Sequence, residues 1–269
     1  MATSPVVIIV PVYRKTGIEE HIALTHLKSF LNEYMVYFIA PEGMNLDWLQ
    51  AENVVRFPEE YFQNTQTYSN LLITKNFYKK FSAYDFMLVY QLDCLVFSNQ
   101  IKQWLLTGYD YIGAPLFLSN TNPKLKKSRV GNGGFSLRKV ASFLNVLNSK
   151  HTPSWKDILN APLPDLLDIP LKGRLIKRLK VLREARLGIG WYTQHYSLNE
   201  DRFWSDRAKL FYPQFKIAPV QTGLRFSFER FPRYCFEQNN RQLPFGCHAW
   251  AKWERDFWEP HLIKESYSQ

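Results

Sequence analysis

Four short apolar runs punctuate the first 97 residues: VVIIVPV (6–12), MVYFIA (35–40), NVVRF (53–57) and FMLVYQLDCLVF (86–97). Runs this short, rich in β-branched and aromatic residues and lacking strict alternation, suit strands covered on both faces. Between them the apolar spacing becomes helical. Glu19 to Phe30 sets Ile22, Leu27 and Phe30 on one side, and Thr67 to Phe81 carries Leu71, Leu72, Phe77 and Phe81. The order strand, helix, strand, strand, helix, strand predicts an α/β fold with a mostly parallel central sheet flanked by helices. Such sheets bind ligands beyond the carboxyl ends of their strands, so polar residues at those ends are the first candidates for function.

The fourth run contains Gln91 and Asp93, two polar residues in an otherwise apolar stretch. If the strand stops near Tyr90 or Gln91, Asp93 projects into the crevice and the run is two runs joined at an edge. A carboxylate there can hold a divalent cation that bridges a diphosphate. Equally, it can cap a turn or pair with a basic residue. Tyr13 and Arg14 follow the first run and Glu42 follows the second.

The chain has 269 residues, 46% of them hydrophobic, which suffices for one large domain. Its formal charge of +10 points to an anionic partner: nucleic acid, anionic lipid or a phosphorylated small molecule. Cys94, Cys235 and Cys247 are odd in number and lack CxxC spacing, which disfavours a disulfide scaffold or zinc knuckle and suits a reducing compartment. MATSPVVIIVPVY lacks the basic start of a signal peptide, and no stretch approaches the roughly 20 apolar residues that cross a bilayer. The expectation is a cytoplasmic protein, with any membrane contact peripheral and on the inner face.

The second half is less regular. YDYIGAP (109–115) reads as a strand entering a loop, VGNGGFSLRKV (130–140) as a glycine-rich turn before an outgoing strand, and Ala141 to Asn148 as a helix. On that strand Ser136 and Arg138 would alternate with Phe135 and Leu137, placing Arg138 on a polar face. Pro153, Pro162, Pro164 and Pro170 break up a connector. KGRLIKRLKVLREAR (172–186) then sets Leu175, Leu179 and Leu182 on one stripe of a basic helix. That helix could lie on anionic lipid, dock on the core with its charges solvated, or meet nucleic acid, for which no recognised module is present. Acids at Glu200 and Asp201 suit a helix start, or a base in a dry pocket. His248, among aromatics, is either a satisfied core histidine or a ligand.

In this order, YQLDCLVF, YDYIGAP, GNGGFSLR, NEDRFWS and LPFGCHAW resemble a bacterial family of inferred glycosyltransferases known as a domain of unknown function, over roughly Val6 to Trp250. Gln91-Leu92-Asp93 likewise resembles the Asp-any-Asp motif of GT-A enzymes, with an amide replacing the first acid. The resemblance implies a GT-A-like, Rossmann-related sheet with an irregular acceptor-side region. It implies one domain over 1–269, with a nucleotide-binding half (1–97) and an acceptor-side half (98–269) that carries the basic insertion near 171–188. It implies transfer of a sugar from a nucleotide-diphosphate donor to a carbohydrate or glycolipid hydroxyl, with no nucleic-acid partner, in surface polysaccharide or lipopolysaccharide synthesis.

The same resemblance gives Asp93 and His248 the role of Mg²⁺ or Mn²⁺ ligands. It assigns the donor to Pro11, Tyr13, Arg14, Gln91, Asp93, Gly133 and Gly134, and Asn70, on the helix before the fourth run, is a further candidate by position. Asp201, with Glu200 second, becomes the base of an inverting reaction. The alternatives are a retaining transferase on the same fold and a non-catalytic binder of polyanions or membranes.

Overall fold

The computed structural model describes residues 5–49, 51–161, 163 and 170–263, without the side chain of Lys127. Its strands are β1 (Val6–Pro11), β2 (Met35–Pro41), β3 (Val54–Phe57), β4 (Phe86–Tyr90), β5 (Leu95–Val96), β6 (Tyr111–Ile112), β7 (Pro115–Leu116), β8 (Arg129–Val130), β9 (Phe135–Lys139), β10 (Ser227–Phe228) and β11 (Gly246–Cys247). The central sheet runs β3-β2-β1-β4-β9-β6. The first four of these strands are parallel, and β9 runs antiparallel to both β4 and β6.

Every residue of β1 is buried. Val7 and Ile9 enter one core; Val6, Ile8 and Val10 enter the other. An apolar run without alternation is what a strand covered on both faces requires. The helix expected near Glu19 forms over Ile18–Leu31. The single helix expected over 67–81 is instead two, Thr65–Leu71 and Lys75–Lys79. Thr74 adopts an extended conformation between them, and its hydroxyl accepts from Phe77 N, so a cap replaces a helical turn.

The opening of the FMLVYQLDCLVF run is β4, which stops at Tyr90. Cys94 N donates to Gln91 O at 2.9 Å, closing a turn, and β5 follows. The apolar run is therefore two strands. The second joins a small sheet of order β10-β11-β5 over an aromatic core that includes Phe228, Trp250 and Trp258.

The expected polar face of β9 is not at the surface. Ser136 and Arg138 are fully buried. The helices carrying Tyr78 and Glu200 cover that face, and Arg138 donates to both side chains at 2.9 Å. Alternation marks which side chains share a face; it does not say what lies over them.

The basic helix spans Leu171–Ala185 and follows a connector whose Pro162 and Pro164 lie outside the described residues. It packs through Leu182 and Ala185, and Arg178 Nη1 donates to Ile158 O of the neighbouring Trp155–Asn160 helix. Of the anticipated stripe only Leu182 is buried; Leu175 and Leu179 stay about half exposed. The three cysteines are free and buried. Among the described residues, no helix is long and apolar enough to cross a membrane.

Candidate active site

The carboxyl ends of β1 and β4 lie side by side, because these strands pair in parallel. Beyond them opens a cavity of about 480 Å³. Pro11, Tyr13 and Arg14 form one wall, Gln91 and Asp93 another, and Asn64 and Tyr68 a third. Asn64 is fixed there as a helix cap, its Oδ1 accepting from Gln66 N and Thr67 N. Arg14 pairs with Glu20 at the rim. Tyr68 carries a buried hydroxyl whose pKa burial pushes up.

His248 reaches Asp93 through strand register. Cys247 sits opposite Leu95 in the antiparallel β11–β5 pair, so the residue that follows β11 lies over the turn that precedes β5. His248 N donates to Phe228 O at 2.9 Å, and Trp250 N donates to Asp93 O at 3.2 Å, closing the frame. The imidazole Nε2 then lies 3.3 Å from Asp93 Oδ1 and 3.1 Å from Gln91 Oε1. On the other side, Nδ1 lies 3.3 Å from Glu229 Oε1 and 3.0 Å from Asn132 Nδ2.

Burial opposes a charge on His248, but Asp93 and Glu229 outweigh it and push its pKa up to about 10. Burial likewise opposes ionisation of Asp93. The adjacent imidazole prevails and holds the carboxyl below its ordinary value.

The glycine-rich loop locks this pair to a second one. Asn132 has φ 70°, and its Oδ1 accepts from Gly134 N at 3.1 Å. A Cβ at Gly134 would fall 2.2 Å from His248 Nε2, and one at Gly133 would fall 1.5 Å from Glu200 Oε1. Only glycine permits these approaches. Glu200 faces inward, bonded to Arg138 Nη2 at 2.9 Å. Burial pushes its pKa up to about 7 against the pull of Arg138. Asp201 is partly buried, and its Oδ1 accepts from Arg202 N at 2.7 Å. Burial raises its pKa, and the negative charge of Glu229 adds to the effect.

Of the residues singled out from sequence, Pro11, Tyr13, Arg14, Gln91 and Asp93 line the cavity, and His248 backs it. Gly133 and Gly134 lie beneath the two ion pairs and not on the cavity wall. Asn70 is not on the cavity wall; its Oδ1 accepts from Gln66 Nε2, which also donates to Leu198 O. Glu200 is an anchor within the core. Sequence reading passed over Glu229, which holds the far side of His248, and the partnership of Arg138 with Glu200. No spacing announces either contact, since 19 and 62 residues separate the partners. Asn64 did carry a signal, because Asn-Thr-Gln-Thr is a capping pattern.

The donor set suits a hard or borderline dication once the imidazole gives up its Nε2 proton, because the imidazolium that Asp93 and Glu229 favour has no lone pair to offer. Ligand atoms of Asp93, Cys94 and His248 lie within 4.8 Å of one another. Cys94 is the poorest of them. Its buried thiol donates to Gly134 O at 3.2 Å, and burial pushes its pKa well up, so it stays protonated. The Gln91 amide oxygen beside His248 is a better complement to Asp93 and the imidazole.

The family described as "Protein of unknown function (DUF5672)" matches residues 51–248. No curated protein matches the chain. Three solved structures are similar in layout. The apo glycosyltransferase GlyE of Streptococcus pneumoniae TIGR4 has a TM-score of 0.47 at 12% identity, over 96% of this chain and 60% of its own. A glycosyltransferase involved in glycosylation of the major capsid of PBCV-1 gives 0.44 at 11%, over 95% and 98%. Mouse xyloside xylosyltransferase 1 gives 0.44 at 11%, over 90% and 96%. This chain thus spans about three-fifths of GlyE. At such scores a likeness assigns neither substrate nor reaction.

Proposed function

The chain belongs to that family, DUF5672, and from the geometry of its site we propose that it is a GT-A-like glycosyltransferase. In this reading it moves a sugar from a nucleotide-diphosphate donor to a hydroxyl of a carbohydrate or glycolipid acceptor. The observation that carries the reading is the placement of Asp93. It sits at the carboxyl end of a parallel strand, half exposed on a cavity of about 480 Å³, with its other face fixed by His248.

Residues 1–97 form the donor half and 98–269 the acceptor half. Tyr13 offers a ring for the base and Arg14 a guanidinium for phosphate. Asp93 and His248, with Gln91 alongside, would hold Mg²⁺ or Mn²⁺. When bound, the dication offsets the charge that grows on the diphosphate leaving group. Asp201 takes the proton of the acceptor hydroxyl as that oxygen attacks the anomeric carbon. The bond from that carbon to the diphosphate oxygen breaks, its electron pair leaves with the diphosphate, and the configuration inverts. Asp201 is not among the residues lining the cavity; what supports its role is a pKa raised by burial and by the charge of Glu229, the residue that backs His248. Glu200 is a positioning residue, tied to Arg138 under Gly133. The biological setting in this reading is surface polysaccharide or lipopolysaccharide synthesis on the cytoplasmic side.

A thermal-shift panel of UDP-, GDP-, CMP- and dTDP-sugars, with and without Mn²⁺, tests the reading. A donor at about 100 times its dissociation constant stabilises by roughly 2.7 kcal/mol. Silence across the panel overturns the proposal. Retention of anomeric configuration in the product would remove Asp201 from its role and leave the transferase intact.

A further inference from the structure

We infer that the outward face of the Leu171–Ala185 helix docks on an anionic lipid surface. The inference is independent of the transferase reading. Leu182 and Ala185 are buried against the body, with Arg178 bonded to Ile158 O beside them. Lys177, Lys180 and Glu184 line a cleft of about 540 Å³ whose far side carries Trp191 and His195. The apolar side chains left exposed are Leu171, Leu175, Ile176 and Leu179, at 80, 50, 67 and 51% exposure; Leu171 and Leu175 continue the face of Leu182 toward the helix N-terminus, where it is uncovered, and Leu179 and Ile176 extend it outward. These positions are spaced i, i+4, i+5 and i+8, so they form one continuous stripe. Lys172 and Arg183 are exposed on the same side, near the two ends of the helix.

Scattered exposed leucines need no explanation, but a continuous apolar stripe on one helix does. Six of the twelve most exposed large apolar side chains among the described residues fall between 159 and 187. The helix carries six basic residues and one acid, Glu184, which lies 3.8 Å from Lys180. An apolar stripe flanked by lysine and arginine matches a surface that is anionic above and hydrocarbon below, the chemistry of an acidic bilayer. A nucleic acid would meet the charge but leave the leucines wet. A second copy related by a twofold axis would cover the leucines but oppose two helices of the same positive sign.

The test is co-sedimentation of the full chain with vesicles of phosphatidylcholine alone and of phosphatidylcholine mixed with phosphatidylglycerol. Binding is expected only to the mixture, and it should weaken as salt is raised toward 1 M, where screening shortens to about 3 Å. Leu175→Ser with Ile176→Ser and Leu179→Ser should lower partitioning by about tenfold. Lys172→Glu with Arg183→Glu should lower it at least ~25-fold, about fivefold per basic charge lost. All five sites are exposed, so these variants should keep the wild-type melting temperature. The proposal fails if the mixed vesicles leave the protein in the supernatant, or if either variant binds like wild type. It fails also if the serine variant converts a dimer to a monomer on a sizing column, or if the charge variant loses only binding to nucleic acid.

Discussion

Asp93 with His248 and Glu200 with Arg138 are both acid–base pairs buttressed by the 131–134 loop, yet their surroundings differ. The side chains of the first pair are 51% and 15% exposed; those of the second are 6% and 0%. The open pair has an acid that can trade its partner for a ligand. The sealed pair has lost its water, so Glu200 ionises only as pH rises toward 7, with Arg138 as its counter-charge. Chemistry of the same kind serves binding where the sheet ends and architecture where the sheet is covered. The glycine loop makes each pair sensitive to the other, because Gly133 packs on Glu200 and Gly134 on His248.

The most damaging way to break this contrast is at the sealed pair. Arg138→Ala leaves Glu200 buried without its counter-charge and should destabilise the protein by about 3–5 kcal/mol in urea unfolding. A loss below about 1 kcal/mol would mean the pair is not sealed. Next comes Asp93→Ala, expected to lower transfer by about 10²-fold or more, near 3 kcal/mol of barrier, while shifting stability by less than about 1 kcal/mol. Comparable losses of stability in the two variants would erase the distinction.

A pH series sharpens the same point. The folded protein holds the Glu200 proton up to about 7, above the ordinary carboxyl value near 4.5. Between those limits the folded state binds more protons than the unfolded chain. This group's contribution therefore weakens stability as pH rises through that window, by at most about 1.4 kcal/mol per pH unit. Glu200→Gln should flatten that slope between pH 5 and 7, read by urea midpoints. A slope equal to wild type would place the titration elsewhere. The smallest effect belongs to Asn70→Ala. Its side chain bonds Gln66 and does not line the cavity, so donor affinity should change less than about twofold in titration calorimetry.

The strand–helix order, the break in the 86–97 run and the candidate status of Asp93 and Tyr13 were legible in the residues. Short-range physics sets them: apolar runs without alternation must be covered twice, and a carboxylate cannot lie unpaired inside a strand. His248 was legible as a residue type and not as a neighbour. The split at Thr74 was missed because helical spacing continues across a cap that interrupts the backbone.

Taken alone, the sequence determined the sheet's parallel half, the ends at which polar residues emerge, and a basic helix near 171–188. Only tertiary structure decided that Glu229 backs His248, that Arg138 lies inside, that Glu200 anchors and that Leu175 and Leu179 face out. The reason is range. Strand and helix patterns are written in neighbours a few positions apart, whereas each of these outcomes depends on which distant element covers a face, and a face's polarity does not name its cover.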